Sequence, residues 1–176
     1  MVERRAKGAV SRARKKVVRQ GRSLSRWLIL RVVLRGQSGE ELTEPPGRDL
    51  LVSTRHTFAE IAVAIDRAFA RWDVSHLHEF VLSDGRRIVA ADRDGLDDGD
   101  LDETVETLAS IDLTLGGSFE YVFDLGAGLE HRCTVRRDPV DPLEEAGSVP
   151  TQIVPMFGWG TIPDQYGRVT QDSDEE

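Results

Sequence analysis

One cysteine, no long hydrophobic run and a single acid in the first 35 residues are what this 176-residue chain lacks. The lone Cys133 excludes an intrachain disulfide and a multi-cysteine zinc site, which suits a reducing cytosol. The first apolar stretch, residues 27–34, is interrupted by Arg31. A membrane span needs about 20 apolar residues and a signal peptide an apolar core of about 7 to 15 nearer the start. Neither membrane insertion nor secretion is expected, and a cytoplasmic location is.

The missing acids divide the charge. Residues 1–35 carry twelve Lys or Arg against Glu3 alone, so the net charge of -8 separates into about +11 for the beginning and about -19 for the body. Residues 1–22 have too little apolar surface to repay ordering and are expected to be disordered when unbound. Their cluster Arg12, Arg14, Lys15, Lys16 and Arg19 is a candidate for nonspecific nucleic-acid binding through phosphate neutralisation, or for resting on the acidic body.

With 39% hydrophobic residues the remainder can build one domain, expected at 23–137 and followed by a Pro/Gly-rich arm at 138–176 with an acidic end. Residues 27–34 read as a strand covered on both faces, followed by a loop ending in Pro45-Pro46-Gly47 and a strand at 48–52. Thr57 and Glu60 form a capping-box signature. Phe58, Ile61, Ala62, Ile65, Phe69 and Trp72 recur along one face of a helix expected over 57–72. Asp84-Gly85 marks a tight turn between strands at 77–82 and 87–90, and a short helix is expected over 101–111. The class is α+β, a mixed and mostly antiparallel sheet on one principal helix. In the arm, Phe157, Trp159 and Tyr166 predict an irregular segment that docks on the domain through an aromatic ring.

The alternation from Phe119 to Val135 predicts a hairpin. A five-residue loop at 125–129 places Asp124 opposite Glu130, Phe123 opposite His131 and Tyr121 opposite Cys133. Phe119, Tyr121, Phe123, His131, Cys133 and Val135 then share an inner face.

Candidate ligand-binding residues follow. His76 and His78 share a strand face with Phe80 and Leu82, and His131 would complete a metal-binding triad if the hairpins were neighbours. The reading taken is that these imidazoles are satisfied by hydrogen bonds in the core, with no metal and no cofactor. Asp124 and Glu130, side by side, could share a proton or a cation, but at a solvent-facing loop the pair is screened, and turn chemistry with solubility is the reading taken. The acidic run from Asp92 to Asp102 fails the EF-hand spacing: starts at Asp92 and Asp98 put Asp97 and Glu103 where glycine is required. The glycine pairs match neither a Walker loop nor a dinucleotide fingerprint, and Cys133 is read as packing.

Ser75-His76-Leu77-His78-Glu79-Phe80 and the Asp-x-Gly-x-x-x-Glu-His run from Asp124 to His131 resemble the plasmid pRiA4b ORF-3-like family, whose members also carry an insertion-element passenger TnpR-like label. The resemblance covers about 27–137 and implies a compact α+β domain with 57–72 as its helix. The chain keeps Asp124, Gly126 and His131 of the second motif but has Leu125, Ala127 and Leu129 at the family's Phe, second Asp and Trp positions. No activated serine among arginines accompanies the recombinase-like label. The expected function is therefore a non-enzymatic binding or adaptor domain associated with mobile elements, with an unknown protein or small ligand as partner and no membrane. The alternatives are a metal-assisted hydrolase or nuclease using the histidines and Asp124, and nucleic-acid binding through the tail.

Overall fold

A computed structural model describes residues 25–91 and 95–166. The basic cluster from Arg12 to Arg19, residues 92–94 and the acidic end lie outside the described residues. No helix among those described is long and apolar enough to cross a membrane.

The first strand, β1 (Trp27–Gln37), hides Leu28, Leu30, Val32 and Leu34 completely on one face. Its other face shows half-covered Arg31 and Val33 and exposed Arg35, so the expectation of a strand covered on both sides holds only near Ile29. The strand also runs three residues farther than expected, because the two-residue β2 (Glu40–Glu41) folds back to pair with Gly36 and Gln37. Next come β3 (Gly47–Ser53) and the helix α1 (Phe58–Ala68). Thr57 caps the helix, with the Glu60 side chain accepting from the Thr57 amide at 2.8 Å and Thr57 Oγ1 from the Glu60 amide at 3.2 Å.

The helix stops short of the predicted Trp72. Ala70 takes a left-handed φ of 52°, its amide bonds Arg67 O, and the Arg71 amide bonds Asp66 O at 2.8 Å. This is a Schellman end with alanine where glycine is usual, which hid it from the sequence pattern. Trp72 is consequently 55% exposed, not part of the helical stripe.

The remaining elements are β4 (His78–Leu82), β5 (Arg87–Val89), β6 (Leu101–Asp102), β7 (Ser118–Phe123), β8 (Leu129–Val140), the short α2 (Pro142–Ala146) and β9 (Val154–Trp159). The helix expected over 101–111 is absent. Its backbone groups bond elsewhere, with Phe58 N donating to Glu106 O, Ala59 N to Glu103 O and Ala109 N to Thr54 O, so the segment is tied to the entry of α1.

One sheet in the order β6-β5-β4-β7-β8-β1-β3-β9 results, antiparallel except for β5 beside β6. The fold is thus α+β, with α1 packed on one face. Phe58 meets Phe80 and Phe119 edge-on at 4.8 and 5.3 Å, and Leu50, Ile61, Ile65 and Phe69 complete the core.

In the β7–β8 hairpin the pairing is slipped by two residues from the expected one. Tyr121 faces His131, Phe119 faces Cys133, and Glu130 faces Val122 rather than Asp124. Asp124 instead starts the turn at φ 54°, with Oδ1 accepting from the Gly126 and Ala127 amides at 3.1 Å each. An even slip leaves the strand side chains on their predicted faces, and all six inner residues are buried, while Asp124 leaves the predicted outer face and is nearly buried in the turn.

The C-terminal arm is not irregular. Strand β8 runs on to Val140, and β9 pairs antiparallel with β3 as an edge strand. Trp159 lies over Gly47, where a Cβ would come within 2.0 Å of the indole, and the Arg31 guanidinium stacks 4.9 Å from the ring centroid. Beyond β9, the buried Gln165 side chain accepts from the Trp72 and Asp73 amides and donates to Asp73 O at 2.8 Å. Phe157 remains exposed, while Trp159, Gln165 and Tyr166, whose ring meets Trp72 edge-on at 5.1 Å, do the docking. Gly47→Ala should displace the indole and cost about 1–3 kcal/mol, read as a lower urea midpoint with red-shifted tryptophan emission; an unchanged midpoint and spectrum would contradict this packing.

Candidate functional site

Asp66, Arg71 and His131, all buried, gather around Tyr121. As the central inward residue of β7 it is fully buried, and its hydroxyl donates to Asp66 Oδ1 at 2.9 Å. Asp66 stands on the inward stripe of α1, one turn beyond Ala62, where an apolar residue is usual. Burial pushes its carboxyl up to about 6, against the pull of the Tyr121 hydroxyl, His78 and Arg71. Burial, reinforced by the neighbouring Asp66, raises the Tyr121 phenol far above its ordinary range.

The Schellman turn at Ala70 sends Arg71 back beneath the helix, where burial lowers its pKa and the charge of Asp66 supports it. Arg71 Nη2 lies 3.3 Å from His131 Nε2, and His131 Nδ1 lies 3.2 Å from Tyr121 O. A guanidinium only donates and a carbonyl only accepts, so His131 is the neutral tautomer with its proton on Nδ1. Burial and the adjacent Arg71 hold its pKa down to about 3. Arg71 Nε is buried with no hydrogen-bond partner among the described residues.

Two flanking groups take up the other histidines. His78 Nε2 pairs with Glu103 Oε2 at 2.7 Å. Burial lowers the His78 pKa, but the hydrogen bond and charge of Glu103, with Asp66, outweigh it and leave the imidazole raised. His76 precedes β4, so the shared strand face expected for it and His78 does not form. It sits nearer the surface, with Nδ1 3.3 Å from Asp124 Oδ2, and Nε2 2.8 Å from the Tyr166 hydroxyl and 3.4 Å from Asp73 Oδ2. Hydrogen bonds from Ser75 and Tyr166 hold the Asp73 carboxyl well below the usual range.

His76, His78 and His131 therefore surround the Tyr121–Phe123 segment but point to separate partners. Among the described residues no group of three His, Cys, Asp or Glu side chains is placed to hold a metal ion. Glu130 is apart from all of them, exposed on the opposite face of the sheet with Glu120 and Arg35 along the same shallow cleft. Asp124 and Glu130 do not form the expected pair. Cys133 is fully buried, and burial raises its thiol, so it packs as the alternation implied.

Asp66, Arg71, Glu103, Asp73 and Gln165 escaped the sequence reading. Asp66 alone left a signal, a carboxylate inside an apolar helical stripe. The others depend on where turns bring them.

The family model for the plasmid pRiA4b ORF-3-like protein matches residues 30–152, from within β1 through α2. The chain belongs to that family. A solved structure of a protein of unknown function from Methanosarcina mazei Go1 is similar at 25% identity, with 66% of each chain covered and a TM-score of 0.49. No curated protein matches the chain.

The titrations of the buried pair oppose one another. Asp66, raised on folding, contributes stability that is full below about pH 3.8 and lost as pH rises through about 6. His131, depressed on folding, contributes stability that is full above about pH 6.5 and lost as pH falls toward about 3. Between about pH 4 and 6 the two slopes cancel. In Asp66→Asn the unfolding free energy should therefore climb with pH at about 1.4 kcal/mol per unit across that window, whereas the parent stays flatter. Urea unfolding at half-unit pH steps reads the difference, and parallel profiles would contradict the assignment.

Proposed function

We propose that the protein is a binding or adaptor domain without catalytic activity of its own. The observation that carries this reading is the commitment of the histidines: His131 is fully buried and neutral between Arg71 and Tyr121 O, while His78 and His76 are each engaged by carboxylates. A hydrolase built on these residues would need an imidazole or carboxylate free to reach a substrate or water. Asp66, with a pKa suited to acid–base work, is only 6% exposed and sealed under α1.

Open surface lies elsewhere. A cleft of about 570 Å³ runs between α1 and the β9 segment and is mainly apolar, within the size range of small-molecule sites. Association with mobile elements rests on the insertion-element label of the resemblance, and a cytoplasmic location fits the single, buried cysteine. Nucleic-acid binding by the Arg12–Arg19 cluster is a separate proposal, supported by its charge alone.

Hydrolysis assays with phosphodiester, phosphomonoester and ester substrates in the presence of Mg²⁺, Mn²⁺ or Zn²⁺ should show no turnover above the metal-only control. Turnover that disappears in His76→Ala or His78→Ala would overturn the reading in favour of a metal-assisted hydrolase.

A further inference from the structure

Strand pairing in the C-terminal arm ends at Trp159, yet Gln165 beyond it is only 3% exposed, set against the turn that follows α1. Its carboxamide is read at three points. Oε1 accepts from the Trp72 and Asp73 amides at 3.2 and 3.3 Å, and Nε2 donates to Asp73 O at 2.8 Å. Two backbone donors and one backbone acceptor so placed fit a primary amide and reject a carboxylate, whose second oxygen would face the Asp73 carbonyl with no proton between them. The Gln37 side chain adds a bond to the Gln165 carbonyl at 3.4 Å.

The next residue is recognised as well. Tyr166 donates its hydroxyl proton to Asp73 Oδ2 at 2.5 Å, so its oxygen accepts from His76 Nε2–H at 2.8 Å. Its ring meets Trp72 edge-on at 5.1 Å and His76 at 6.0 Å. Asp164 shapes the segment from its own side, with Oδ1 accepting from the Tyr166 amide at 3.0 Å.

The receiving turn takes its form from the domain. The left-handed Ala70 and the bond from the Arg71 amide to Asp66 O set where the chain leaves α1. Asp73 Oδ1 is fixed by the Ser75 amide and hydroxyl at 3.1 and 2.6 Å, and His76 Nδ1 lies 3.3 Å from Asp124 Oδ2 in the β7–β8 turn. A preformed set of donors and acceptors, filled by side chains from a tethered segment, is the arrangement of a peptide site with an intramolecular ligand.

We propose that the turn from Trp72 to His76 is a peptide-recognition site for glutamine followed by tyrosine, filled by the chain's own arm and open to the same dipeptide on another protein when the arm detaches. The arm is then a tethered competitor. This rests on the binding-domain reading and gives that domain a partner class.

The test uses the full chain carrying Gln165→Ala and Tyr166→Ala together, which removes both anchoring side chains, and the acetylated, amidated peptide Ile-Pro-Asp-Gln-Tyr-Gly, the sequence of residues 162–167. Circular dichroism checks that the variant is folded, and ¹H–¹⁵N spectra follow the Trp72 and Asp73 amides during titration. The peptide should bind the variant saturably at one site per chain. The wild-type chain should bind it about tenfold more weakly, because the tethered arm competes at an effective concentration in roughly the millimolar range. Peptides with Glu for Gln, or Ala for Tyr, should each bind the variant about tenfold more weakly than the parent peptide.

The proposal is overturned by no saturable binding to the folded variant, by equal affinity for the Gln and Glu peptides, or by equal affinity of variant and wild type. Should the variant not fold, hydrogen exchange of the wild-type chain decides. The Trp72 and Asp73 amides should exchange by local opening with little dependence on denaturant, and exchange only through global unfolding, in step with β1, overturns the proposal. A negative peptide result leaves the hydrolysis assays to decide separately whether the domain is an enzyme.

Discussion

A carboxyl group buried under α1 sets the terms on which the rest of this core is built. Asp66 occupies a position that faces the sheet, and a carboxyl there is destabilising unless it is hydrogen-bonded or electrostatically compensated. The Tyr121 hydroxyl supplies the hydrogen bond from β7, and Arg71 supplies the charge from the turn after the helix. Burying a guanidinium creates a further demand, which His131 on β8 meets by offering an unprotonated Nε2. The remaining imidazole proton returns to Tyr121 O. Helix, turn and two strands are thereby joined in one chain of donors and acceptors. A displacement at any of these elements would leave a buried polar group without its partner.

This arrangement gives each of these polar side chains a partner inside the core. A tyrosine, two histidines, an arginine and two carboxylates cluster within a few ångströms, a set that elsewhere would invite a catalytic assignment. Here the perturbed pKa values of Asp66 and His131 arise mainly from desolvation inside a closed core. An open, mainly apolar surface lies between the outer side of α1 and the β9 segment, where the helix shows alanines and an exposed valine.

Much of the fold was legible because local chemistry and global packing agreed. The Thr57–Glu60 capping box, the 3.6-residue stripe through Ile65 and the alternation in β7 and β8 each recorded a single environment, and the structure kept all three. Where reading failed, the deciding contact was distant in sequence. Trp72 had helical spacing, but the chain turns at Ala70 so that Arg71 can reach beneath the helix. Residues 101–111 had helical composition, but their amides and carbonyls bond to the entrance of α1. The hairpin register missed by two because Asp124 binds the amides of its own turn rather than a cross-strand neighbour. Of the candidate site, the inward placement of His131 was readable from alternation. Its partners Arg71 and Asp66 were not, since nothing local says which polar side chains a buried imidazole will meet.

The claim on which all this depends is that His131 is a neutral structural residue with its proton on Nδ1. Long-range ¹H–¹⁵N correlation spectra of uniformly labelled protein, recorded from pH 4 to pH 8, measure this directly. The account predicts that the ring resonances of His131 keep the Nδ1–H pattern throughout, without titrating. A His131 ring that titrates near pH 6.5, or that carries its proton on Nε2, would contradict it.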